Sequence, residues 1–200
     1  YEAGAVFAGG EVVAMPLLPE NDFLPDLEDL RRGVLKRTQL LFLNYPNNPT
    51  AAVATEAFFA QAVEFAREHD VVLVHDAAYS EMYFDGVTTP SILQTPGAQA
   101  VAVEFHSVSK TYNMTGWRIG FVVGNADVLS GLGAVKTNVD SGAFQAVQEG
   151  AVAALTGDQS CVDEMRSVYE RRRDVMVEGL RGLGLAPNQP SATFYVWVPV

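Results

Sequence analysis

Apolar and polar positions alternate along this chain in blocks that switch period. Leu27, Leu30 and Val34 recur at helical spacing, which predicts a helix over 26–36 with Asp26 as its N-cap. Thr38–Leu43 is a short apolar run, read as a buried strand. Residues 55–69 carry Phe58, Phe59, Ala62, Val63 and Ala66 on one helical face, with Thr55 as cap. Val71–His75 and Val101–Phe105 are again continuous apolar runs. The order strand, helix, strand, helix, strand predicts an α/β fold, with a mostly parallel sheet flanked by helices on both faces.

Further strands are expected at 11–15, 118–124 and 194–200. Helices are expected at 127–136 and 141–155, the second buried because it carries few charges. A long amphipathic helix is expected over 158–183, its Arg171–Arg172–Arg173 run forming a solvated face. Residues 1–160 are assigned to a large domain. Residues 161–200 are assigned to the long helix and the first strand of a smaller one. The chain begins at Tyr1 without Met and stops inside an expected strand, so it is read as an internal piece of a longer protein.

Composition narrows the function. The formal charge of −11 argues against a nucleic-acid backbone or an anionic membrane as partner. The one cysteine, Cys161, cannot form an internal disulfide, which fits the cytoplasm. No apolar run reaches transmembrane length.

The chemistry-bearing residues gather at expected strand ends, where open α/β sheets place their sites. Asn44-Tyr-Pro-Asn-Asn48-Pro-Thr50 is a dense turn signal after the first buried strand. Asp76 ends the second, with Tyr79 three residues on. Ser107-Val-Ser109-Lys110 follows the third, with Arg118 eight residues beyond the lysine. Hydroxyls beside a guanidinium suit a phosphate dianion. A lysine beside such a site can form an imine with a carbonyl cofactor, so the leading reading is a pyridoxal 5'-phosphate site. Taken singly, each residue has a blander role: a solvated charge for Lys110, a turn cap for Asp76, packing for Tyr79, a turn former for Asn48, a structural bridge for Arg118, and plain loop positions for Ser107 and Ser109. His75 and His106 are read as packed histidines, since no carboxylate or cysteine spacing supports a metal. Trp117 and Trp197 are read as core.

Asn47-Asn-Pro-Thr50, Asp76-Ala-Ala-Tyr79 and Ser107-x-Ser-Lys110 with Arg118 stand in family order, and together they resemble the fold-type I, class I/II aminotransferases. The segments 112–120 and 194–197 look closest to the LL-diaminopimelate aminotransferase group. The resemblance implies a pyridoxal-phosphate enzyme that moves an amino group between an amino acid and a 2-oxo acid, with LL-diaminopimelate and 2-oxoglutarate as the suggested pair. It implies Lys110 as the imine lysine and Asp76 as partner of the pyridine nitrogen. It places Asn48 and Tyr79 at the ring oxygen, and Ser107 and Arg118 at the phosphate, with Ser109 as a phosphate or structural candidate. It also implies a homodimer, with further site residues before Tyr1 and after Val200. Ala51 stands where the family usually has glycine; at positive φ an alanine costs about 1 kcal/mol. Two other readings stand beside this one: a lyase or synthase on the same scaffold, and a truncated domain that only binds or dimerises. A nucleotide-binding protein is disfavoured, because G-x-G-x-x-G and Walker loops are absent from the sequence.

Overall fold

A computed structural model describes residues 1–30 and 32–199. In chain order the elements are α1 (Glu2–Phe7), α2 (Arg32–Leu35), β1 (Leu40–Asn44), α3 (Glu56–His69), β2 (Val72–Asp76), β3 (Ala102–Ser107), α4 (Val108–Thr111), β4 (Gly120–Gly124), α5 (Ala126–Val139), α6 (Gln145–Thr156) and α7 (Ser160–Gly182). The strands form one sheet in the order β1-β2-β3-β4. The first three are parallel, and β4 runs antiparallel to β3. A parallel return would need a crossover the length of the sheet. The β3–β4 connection holds only α4 and one 3₁₀ turn, so the chain doubles back. At both ends of β4 the strands approach too closely for a side chain: a Cβ would lie 2.5 Å from the His106 carbonyl oxygen at Gly120, and closer still to that of Ala102 at Gly124.

Register sorts the strand residues into two faces. The inner face carries Leu41, Leu73 and Ala102 in one row and Leu43, His75, Glu104 and Val123 in the next. Against it packs α3, through the five residues its periodicity predicts. Thr55 caps that helix by accepting from the Phe58 amide at 3.1 Å. The outer face carries Phe42, Val74 and Val103, then Asn44, Asp76, Phe105 and Val122. The outer face is covered unevenly: Val74 and Val103 are buried, while Leu40 and Phe42 on the edge strand remain 49% and 38% exposed, with Tyr1 stacked on Phe42.

Other expectations also change. Residues 11–15 form no strand, because no neighbouring strand among the described residues completes a ladder. The expected helix over 26–36 shrinks to α2, with Arg31 outside the described residues. Asp26 caps the Glu28 amide at 2.9 Å in a local turn, which competes with helix. The final expected strand is irregular through Pro199, and Val200 lies outside the described residues. The helix α6 buries only Ala151, since few charges do not guarantee a packing partner. Both Trp117 and Trp197 are substantially exposed rather than core.

The arginine run is not uniformly solvated. Arg173 is buried, and its guanidinium forks onto the Asp85 carboxylate and donates to the Pro190 carbonyl at 3.0 Å. It ties α7 to the loop after Tyr83 and to the approach to the last segment.

Candidate active site

The outer face at the carboxyl ends of β1–β3 collects most of the expected residues. The turn after β1 is built by its own asparagines. Asn44 donates from Nδ2 to the Asp76 carbonyl at 2.9 Å and accepts from the Asn48 amide at 2.9 Å, so the turn is fastened to the end of β2. Asn47 accepts from the Thr50 amide and hydroxyl at 3.1 and 2.7 Å. Both X–Pro bonds in this turn, Tyr45–Pro46 and Asn48–Pro49, are cis. Ala51 does adopt positive φ, 61°, so the alanine sits where glycine would be unstrained.

Asp76 is half-buried at the end of β2. Its Oδ1 accepts from the Ala78 amide at 3.2 Å, and its Oδ2 accepts from the Tyr1 hydroxyl. Capping and a role in a site are therefore compatible for this residue. Tyr79 is buried, and its hydroxyl lies 2.8 Å from that of Tyr195. Burial and the Tyr195 bond push its phenol well above the ordinary range, against the Asn48 side chain, which acts to lower it. Tyr79 is thus a neutral phenol at physiological pH. The half-buried Lys110 carries its Nζ over the Tyr79 ring, 5.7 Å from the centroid. Asn48, Asp76, Tyr79 and Lys110 form one constellation.

Ser107, Ser109 and Arg118 are placed differently. Ser107 caps α4 by accepting from the Ser109 amide at 3.2 Å. Ser109 is buried, and its carbonyl accepts from the Thr115 hydroxyl at 3.1 Å. Arg118 is exposed, at φ 53°, and donates to the Thr115 carbonyl at 3.1 Å. Antiparallel β4 returns the chain to the same end of the sheet, where Ser107 pairs with Gly120. Arg118 is therefore near the lysine turn in space, while its guanidinium engages its own loop. A hollow of about 460 Å³ behind α4 is lined by Ser107, His106, Tyr112 and Arg166 among others, and excludes Lys110, Asp76, Tyr79 and Asn48.

Three participants were not foreseen. Asn44 had a signal, its place at a strand end. Tyr1 and Tyr195 had none, being 75 and 116 residues from their partners. His75 is buried, and His106 is half-buried and stacked on Phe121.

The donor set, a strand-end carboxylate, a neutral phenol, an amide and an amine on one sheet face, fits a pyridoxal ring. The comparisons agree with that chemistry. The profile of the family "Aminotransferase class I and II" matches residues 1–200. An LL-diaminopimelate aminotransferase of Syntrophobacter fumaroxidans is 57% identical over 100% of this chain and 51% of its own length. One from Gloeobacter violaceus is 56% identical with the same coverage. Among solved structures, substrate-bound BacF from Bacillus subtilis is 41% identical with a TM-score of 0.96, covering 100% of this chain and 51% of that one. A probable N-succinyldiaminopimelate aminotransferase from Thermus thermophilus is 37% identical with a TM-score of 0.92, covering 100% and 53%. The chain spans about half the length of the curated relatives it matches, and it belongs to the pyridoxal-phosphate-dependent class I and II aminotransferases.

Proposed function

We propose that the whole protein is an aminotransferase acting on LL-diaminopimelate with 2-oxoglutarate as amino acceptor, and that this chain supplies its cofactor-binding core. The observation that carries the reading is the placement of Lys110 Nζ over the Tyr79 ring, on the same sheet end as Asp76 and Asn48. The names of the curated relatives support LL-diaminopimelate; 2-oxoglutarate follows from the family resemblance alone. The protein is further read as a cytoplasmic homodimer, with residues 1–160 in the large domain and 161–200 beginning the small one. No described helix is long and apolar enough to cross a membrane.

When bound, pyridoxal phosphate supplies an aldehyde that captures amines and a ring that accepts electrons. Asp76, held by the Ala78 amide, would keep the ring nitrogen in its protonated form. Tyr79, kept neutral by burial, and the Asn48 amide would donate to the ring oxygen. Ser107, Ser109 and Arg118 would hold the phosphate, Arg118 after leaving its contact with Thr115. Lys110 would hold the aldehyde carbon through Nζ, and the same amine, when free, would be the base that takes and returns a substrate α-proton.

Borohydride reduction with pyridoxal phosphate, followed by peptide mass spectrometry, tests the reading. A dominant adduct on Lys110 is expected. Scattered adducts across the lysines, or none, would overturn the assignment of the site to these residues. Assay of the whole protein with paired amino and oxo acids separates transfer from elimination.

A further inference from the structure

One row below the site, on the inner face of the sheet, lies a buried carboxylate with every lone pair engaged. Glu104 is 1% exposed. Its Oε2 accepts from His75 Nδ1 and the Ile92 amide, both at 2.9 Å. Its Oε1 accepts from His106 Nε2 and the Ser91 hydroxyl, both at 2.8 Å. Two acceptor positions per oxygen are thereby filled.

His75 bridges two acceptors: its Nε2 lies 2.9 Å from the Tyr45 carbonyl and its Nδ1 2.9 Å from Glu104 Oε2. The ring is buried, with its edge on Phe59. Burial acts to raise the Glu104 pKa. The bonds from His106, His75 and Ser91 outweigh it and hold the carboxyl well below the usual range.

Each partner sits beside a site segment. Tyr45 opens the turn that carries Asn48, His75 precedes Asp76, and His106 precedes Ser107. Side chains alternate across the sheet, so the knot is inside while the site is outside. We propose that Glu104 is a positioning residue. By gripping the His75 and His106 rings together, it fixes the relative heights of the strand ends that carry Asn48, Asp76 and Ser107. The link to the cofactor rests on the function proposed above; the grip on the strand ends does not.

The test is Glu104→Gln in the whole protein. Glutamine keeps the shape, and its NH2 can donate to Ser91. It removes the carboxylate charge and leaves one acceptor oxygen where the carboxylate has two. Amide exchange is expected to accelerate about tenfold at 44–50 and 75–79 while 56–69 stays unchanged. Affinity for pyridoxal phosphate should fall by about tenfold. Unchanged exchange at those segments, or an equal rise across 56–69, would overturn the proposal. If the parent protein binds pyridoxal phosphate and the variant binds it equally well, the positioning role fails. If the parent protein does not bind it while exchange responds as expected, the proposed site fails and the grip of Glu104 stands. Should Glu104→Gln not fold, His106→Asn is measured, with faster exchange expected at 107–111 alone; no change there overturns the proposal.

Discussion

His75 and Asp76 are neighbours in sequence and opposites in circumstance. His75 points inward, buried, paired and packed on Phe59. Asp76 points outward among partly exposed apolar residues, bonded to its own turn and to a distant tyrosine. The inner face is where α3 and three strands exclude water, so it sets stability. The outer face presents functional groups on backbone that the inner face holds still. One strand thus separates folding from chemistry at the scale of a single residue.

Substitutions can break that contrast. The largest effect is expected for Lys110→Ala in the whole protein: turnover lower by about 10⁴-fold or more, with the urea midpoint of this chain unmoved. Next is Phe59→Ala on the inner face, which should cost about 3–5 kcal/mol in a urea titration. Phe42→Ala, its counterpart on the open face, should cost less than about 1 kcal/mol. Equal losses for the two phenylalanines would erase the distinction between faces. Asp76→Ala should lower turnover by about 10²–10³-fold while changing unfolding free energy little, as removal of a charge-stabilising partner does elsewhere.

Acid sharpens the same contrast. The Glu104 pKa is depressed in the folded chain, so the unfolded chain binds the proton more readily as pH falls through the ordinary carboxylate range, near about 4. Stability from this group is present above that range and is lost below it. Glu104→Gln should flatten the acid limb of the stability profile measured by denaturant titration. The smallest effect on turnover is expected for Tyr195→Phe. Losing its bond to Tyr79 should cost about 1 kcal/mol, read as a several-fold change in turnover.

Legibility in the sequence followed locality. The runs of β1, β2 and β3 and the face of α3 were plain, because burial on one face leaves a periodic trace. The direction of β4 was not plain, since it depends on how little chain precedes it. The stretch at 11–15 has strand-like residues and no ladder partner, and pairing is not a local property. Arg173 looks like its two neighbours in sequence and differs through Asp85 and Pro190, both distant along the chain. Among the site residues, the motif positions were visible at strand ends. Glu104 was hidden inside an apolar run, where one carboxylate passes for an interruption.

The antiparallel return of β4 has a consequence for variation. Ser107 and Gly120 are paired, so the segment between them is a closed loop with its ends clamped together. Lys110 and Arg118 sit at fixed stations on it. An added or deleted residue there cannot be absorbed by sliding β4, because a one-step slip would carry Phe121 and Val123 to the opposite side of the sheet and bring a side chain to the tight contact at Gly120. The spacing of lysine and arginine is therefore a ruler. Insertions should be tolerated at 86–88, between the residues held by Arg173 and by Glu104, far sooner than between 110 and 118.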